Sequence, residues 1–148
     1  MTDLNVIEIL LVEDNERDAE MTMRALKKCN FVNKLHWVED GVEALEFIRC
    51  TGRFESRRPA NPLKLVLLDL KMPRLDGLDV LKALKADPAT RSIPVVVMTS
   101  SNEERDVADS YKLGVNGYVT KPVEFEPFMQ QIAHIGMFWL LENQGPSV

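Results

Sequence analysis

The sequence predicts an α/β protein in which a parallel sheet is covered by helices on both faces, and three observations predict it. Nearly continuous apolar runs with β-branched members recur along the chain, as in Val6 to Val12 and Pro94 to Met98. Each run gives way to a stretch whose apolar residues fall at helical spacing. No repeat or low-complexity tract interrupts the alternation. Strands apolar on both sides belong to doubly covered sheets, and parallel neighbours require right-handed crossovers, so five strands and five helices are expected to form one doubly wound unit. At 148 residues the chain is long enough for one core, expected over about residues 6–143, and too short for two.

The first strand, Val6 to Val12, stops at Glu13-Asp14-Asn15. From about Asn15 to Cys29 the spacing turns helical: Ala19, Met23 and Leu26, with Met21 and Ala25 beside them, form an apolar stripe among charged residues. Leu35-His36-Trp37-Val38 reads as a short second strand, and Asp40 is placed to cap a second helix that reaches Ile48. Gly52 to Pro62 holds Arg53, Arg57, Arg58, Pro59 and Pro62 with no sustained apolar period, which predicts a long exposed loop, about residues 52–63, with solvated arginines. The third strand, Leu65 to Leu68, stops at Asp69. Asp76-Gly77 reads as a turn that opens a third helix carrying Leu78, Val80, Leu81 and Leu84 and ending at Asp87-Pro88. Pro94 to Met98 is the fourth strand, closed by Thr99-Ser100-Ser101. A fourth helix is expected from about Glu103 to Leu113, a short fifth strand at Gly117 to Thr120, and a last helix from Glu124 or Phe125 to about Asn143.

Composition narrows the function. With 18 basic and 23 acidic residues the net charge is −5, so no basic field favours nucleic acid. Cys29 and Cys50 form neither a C-x-x-C pair nor a disulfide framework. The first residues lack a basic, apolar leader, and the apolar runs fall far short of the roughly 18 residues that span a bilayer. A cytoplasmic protein with neither a membrane nor a nucleic-acid partner is expected.

In doubly wound sheets ligands bind beyond the carboxyl ends of the strands. The residues standing there are Glu13 and Asp14 after the first strand, Asp69 after the third, Thr99 after the fourth and Lys121 just past the fifth. Two carboxylates about 4 Å apart repel by roughly 4 kcal/mol at an effective dielectric near 20, so three need a cation or protons among them. Hard oxygen donors without His or Cys point to Mg²⁺, and Mg²⁺ with an ammonium and a hydroxyl points to phosphoryl chemistry.

At these residues, together with Met72-Pro73, Asp76-Gly77 and Lys121-Pro122, the sequence resembles the receiver domains of two-component response regulators over nearly its whole length. The resemblance implies a flavodoxin-like, five-stranded parallel sheet of order 2-1-3-4-5. It implies that Asp69 is the phosphoacceptor, taking a phosphoryl group from the phosphohistidine of a sensor histidine kinase. Glu13, Asp14, Asp69 and the backbone carbonyl of Lys71 would hold Mg²⁺, Thr99 and Lys121 would bind the phosphoryl oxygens, and Tyr118 would reorient with the hydroxyl. It also implies a cis Lys121-Pro122 bond. Lys71 and Ser101 stand where the family varies, and are expected to tune phosphoryl lifetime. A new charge of about −1.5 to −2 on Asp69 would pull on Thr99 and Lys121 and switch the face formed by the fourth helix, fifth strand and fifth helix.

The long loop and the aromatic pair Phe138-Trp139 resemble the stand-alone regulators paired with cyanobacterial phytochromes, which implies a phytochrome-type kinase as partner. Apolar residues spread around the last helix, with Phe125, Phe128, Ile132, Ile135 and Trp139 in one stripe, predict a homodimer through this helix or through the switch face, Phe138 and Trp139 being interface candidates. The 27 residues after Lys121 are taken up by that helix and a tail, so no separate output domain is expected.

Rival readings use related parts. A hydrolase with an aspartyl-phosphate intermediate places a second Asp two residues after its nucleophile, where this chain has Lys71. A non-phosphorylated scaffold receiver would have no need of the full set of acidic, hydroxyl and lysine residues present here. A flavin module on the same architecture would be yellow, and the glycine patterns of nucleotide-binding loops are absent. The expected protein is therefore a signalling switch that catalyses only its own phosphoryl transfer and dephosphorylation. Asp40 reads as a cap, Asp76 as a structural turn residue and Trp37 as core, and His36 and His134 receive no metal or phosphoryl role.

Overall fold

The computed structural model describes residues 8–28, 34–57, 63–72, 74–100 and 112–134. Five strands, β1 (Glu8–Val12), β2 (Lys34–Val38), β3 (Leu65–Asp69), β4 (Val95–Thr99) and β5 (Gly117–Thr120), form one parallel sheet of order β2-β1-β3-β4-β5. Four helices are present among the described residues: α1 (Glu16–Lys27), α2 (Gly41–Arg49), α3 (Gly77–Ala86) and α4 (Phe125–His134). Residues 103–111 of the segment expected to form a fourth helix before β5 lie outside the described residues, as do Ser101, Phe138 and Trp139.

The continuous apolar runs are explained by two cores that share one sheet. Alternate strand residues Ile9, Leu11, Leu65, Leu67, Val96 and Met98 pack with Leu26 of α1 and with Phe128 and Ile132 of α4. Their neighbours Leu10, Val12, Val66, Leu68, Val95 and Val97 pack with Phe47 of α2 and with Val80, Leu81 and Leu84 of α3. A period of two distributed over two buried faces leaves no polar position inside the strand. Three helices begin where a side-chain oxygen takes an otherwise orphaned N–H: Asn15 accepts from Asp18, Asp40 from Glu43 and Asp76 from Asp79.

Several expectations are corrected. Asp69 and Thr99 are the last residues of their strands, paired with Met98 and Thr120, not the residues that follow them. Met21, read as part of the α1 core stripe, is 42% exposed, because the helix turns the Ala19, Ala25 and Leu26 face inward instead. The start of the long loop is exposed as expected at Gly52, Arg53, Glu55 and Ser56, but two of its side chains dock: a 3₁₀ turn, Gly52–Phe54, brings Phe54 edge-on to Phe47 at 5.2 Å. Arg53 pairs with Glu43 at 2.9 Å. Arg57 reaches back 49 residues to the buried Glu8 at 2.9 Å while its guanidinium lies 3.8 Å above the Phe47 ring. His36 holds the other Glu8 oxygen at 2.8 Å, so this carboxylate is satisfied from two directions.

Candidate functional site

The strand ends bring the acidic residues together by backbone pairing. Glu13 continues the β1–β2 contact, its N–H donating to Val38 O at 3.0 Å and its carbonyl accepting from the Trp37 indole at 2.8 Å. With both main-chain groups held by β2, its side chain is fixed in the interior and fully buried. Asp69 ends β3, 3% exposed, and a Cβ on Gly77 would lie 2.3 Å from its carbonyl oxygen, so only glycine lets α3 start this close to the site. Asp14 is exposed at the rim. One carboxylate oxygen from each of Glu13, Asp14 and Asp69 lies within 4.8 Å of the others.

Lys121 supplies the counter-charge from just past β5, where its N–H donates to Thr99 O at 2.8 Å and its bond to Pro122 is cis, as expected. The ammonium stands 3.0 Å from Asp69 Oδ2, 3.0 Å from Glu13 Oε1 and 3.3 Å from Asp18 Oδ2. Asp69 Oδ1 accepts the Lys71 N–H at 3.2 Å, and Glu13 Oε2 accepts the Asn15 N–H at 3.1 Å. Glu13 Oε1 is buried, with Lys121 at ion-pair distance and no well-formed hydrogen bond among the described residues.

One ammonium does not balance this cluster. Burial, reinforced by the Asp69 charge, pushes the Glu13 carboxyl up to about 8. Burial also raises Asp69, against the downward pull of Lys121. Burial works to lower the Lys121 ammonium, yet the Asp69 and Glu13 carboxylates hold it well above its ordinary value. A buried oxygen lacking a directed donor, two carboxyls reluctant to ionise and an all-oxygen donor set fit a hard divalent cation.

Thr99 ends β4 at 3% exposure, its hydroxyl donating to the Ser100 carbonyl at 3.1 Å. Tyr118 stands apart from the carboxylates, 38% exposed on the edge strand β5, in a groove it shares with Pro122 and Gln130. The Lys71 side chain is exposed while its backbone sits against Asp69. Sequence reasoning missed two participants. Asp18, a third carboxylate on Lys121, lies 103 residues from it in the chain. Asp40, read only as a cap, also holds Arg74, 34 residues away. No local period marks either pairing.

A parallel sheet of this order, with paired acids after its first strand, an acid ending its third and a lysine past its fifth, defines a receiver-type acidic pocket. The chain belongs to the response regulator receiver domain family, whose sequence profile it matches over residues 9–133. The solved bacteriophytochrome response regulator AtBRR is 49% identical, covering 90% of this chain and 95% of that one, with a TM-score of 0.82. The response regulator Rcp1 of Synechocystis sp. is 39% identical over 132 residues, 89% of this chain and 88% of Rcp1. A crystal structure of the Mn²⁺-bound form of Rcp1 covers 95% of this chain and 99% of its own, with a TM-score of 0.74 and 36% identity. The phosphorylated cyanobacterial phytochrome response regulator RcpA, 36% identical, covers 96% and 99% with a TM-score of 0.73. Among the described residues no helix is long and apolar enough to cross a membrane.

Proposed function

We propose that the chain is a phosphoacceptor switch in which Asp69 receives a phosphoryl group from a phosphohistidine of a phytochrome-type sensor kinase. The observation that carries this reading is Lys121 seated 3.0 Å from Asp69 Oδ2 beside the Glu13, Asp14 and Asp69 oxygens. The Asp69 carboxylate forms the new P–O bond as the P–N bond to the donor imidazole breaks, the electron pair leaving with the imidazole nitrogen. Lys121, already aimed at Oδ2, meets the arriving negative charge, and Thr99 at the end of the neighbouring strand offers its hydroxyl to the phosphoryl oxygens. Glu13, Asp14, Asp69 and the Lys71 carbonyl would hold Mg²⁺, which when bound neutralises charge on the transferring group. Lys71 and Ser101, two residues after Asp69 and Thr99 in the sequence, tune phosphoryl lifetime.

Phosphorylation draws Lys121 and Thr99 toward Asp69 and so shifts β5, the start of α4 and the segment after Thr99. Tyr118, exposed on β5, reports that change, and a homodimer forms through this switch face or through the last helix. The open groove of about 750 Å³ lined by Met21, Arg24, Lys28, Pro122 and Phe125 is the face assigned to the kinase. Incubating wild type and Asp69→Asn with a small phosphodonor and Mg²⁺, then weighing the intact proteins, tests the acceptor. One acid-stable, base-labile phosphoryl adduct confined to wild type is expected, and an equal adduct on Asp69→Asn refutes the assignment.

A further inference from the structure

We propose that the Asp40–Arg74 ion pair is a positioning latch that holds the β3–α3 loop so that the Lys71 carbonyl faces the metal, a statement that rests on the proposed metal site. The loop leaves β3 at Leu70 and is closed at its base, where the Gly77 N–H donates to Leu70 O at 3.0 Å. Its far side is docked on α2, since a Cβ on Gly41 would fall 2.2 Å from the Leu75 carbonyl oxygen. Between these two anchors Arg74 takes a left-handed backbone, φ 65°, which a side-chain-bearing residue keeps only when its surroundings hold it there.

Asp40 provides that hold. Its Oδ1 accepts the Glu43 N–H at 2.9 Å and caps α2, while its Oδ2 takes Arg74 Nη2 at 2.7 Å and Nε at 3.1 Å. The Arg74 guanidinium in turn helps hold the Asp40 carboxyl below its ordinary range, against burial, which acts the other way, and alongside the Glu43 N–H. One carboxylate therefore ties the start of α2 to the loop three residues past Lys71. A side-chain ligand can adjust through its own rotamers, whereas a carbonyl ligand is aimed only by its backbone. The pair is the described side-chain tie across this loop that substitution can remove without touching any proposed ligand.

Asparagine at position 40 keeps a capping oxygen and discards the charge, and glutamine at position 74 discards the charge without changing backbone preference, so Asp40→Asn and Arg74→Gln separate latch from cap. Mn²⁺ affinity is measured by Trp37 fluorescence quenching or water-proton relaxation for wild type, both singles, the double and Asp69→Asn, alongside metal-free thermal melts. Each single is expected to weaken Mn²⁺ about threefold at low salt, as suits a half-exposed pair, with the double no weaker than either single and the difference fading near about 1 M salt. Metal-free melting temperatures are expected to fall by no more than about 3 °C, the share of a half-exposed pair, with the threefold loss in Mn²⁺ affinity read under conditions where each variant is fully folded. Arg74→Gln binding Mn²⁺ as tightly as wild type while Asp69→Asn loses it overturns the latch alone, as do losses that multiply in the double. Asp69→Asn binding as tightly as wild type overturns the metal site and the latch with it.

Discussion

Glu13→Gln tests the electrostatic account of the pocket because it removes one buried charge and keeps the side chain's length. In the metal-free fold the Glu13 carboxyl titrates at about 8, against an ordinary 4.5. The native state therefore keeps a proton that the unfolded state has released throughout that window. By linkage the native state binds more protons there, so stability is fully present below the unfolded value and falls as pH rises toward the folded one, by at most about 1.4 kcal/mol per pH unit. Integrated and discounted for coupling to Asp69, the loss by pH 8 is about 3 kcal/mol. Glutamine does not titrate and escapes it. Its amide nitrogen only donates, so it cannot accept from the Lys121 ammonium at 3.0 Å as the carboxyl's second oxygen can, a mismatch of about 1–2 kcal/mol. Glu13→Gln is thus expected to be less stable than wild type by about 1 kcal/mol near pH 5 and more stable by about 1–2 kcal/mol near pH 8. Urea unfolding in EDTA across this range measures both, and in saturating Mg²⁺ wild type should regain the lead at the alkaline end. A stability difference between the two proteins that stays constant with pH refutes the reasoning.

Lys121→Met leaves the Asp69 and Glu13 carboxylates without their shared cation, so metal-free stability near pH 8 should fall by about 2–3 kcal/mol and recover on acidification, as urea unfolding at two pH values would show. The same variant should accept phosphoryl from a small donor far more slowly than wild type in the intact-mass assay. Gly77→Ala drives a methyl into the Asp69 backbone carbonyl, which has no rotamer by which to yield, and should lower stability by about 2–3 kcal/mol while weakening Mn²⁺ binding. Arg57→Ala strips the buried Glu8 of one partner and the Phe47 face of its cation, and a loss of about 2–4 kcal/mol in urea unfolding is expected, with no change in phosphoryl acceptance.

Much of the architecture was legible because its signals are local. A strand buried on both faces must be apolar at successive positions, and Ile9 to Val12 or Val95 to Met98 show that without reference to any partner. The cap at Asp40 and the turn at Asp76-Gly77 were likewise visible, since each acts within three residues of itself, while the same capping by Asn15 went unread. The acids at 13, 14 and 69 and the lysine at 121 stood out because parallel strands all end on the same edge, so a position relative to a strand becomes a position in space.

What stayed hidden depends on register and on the approach of distant segments. Arg57 read as solvated because nothing within the loop says that Glu8, 49 residues away, is buried and waiting for it. Met21 and Ala25 share a stripe by period, yet only the packing of α1 on the sheet decides which of them is covered. The second role of Asp40 and the third carboxylate on Lys121 arise the same way, from charged side chains brought together across 34 and 103 residues. Amino-acid order by itself determined which residues must leave water and in what period, since that follows from local geometry and hydrophobicity. Tertiary structure alone decided which charges meet and how far each carboxyl is pushed from its ordinary titration, because those depend on distances and burial that exist only once the sheet has assembled.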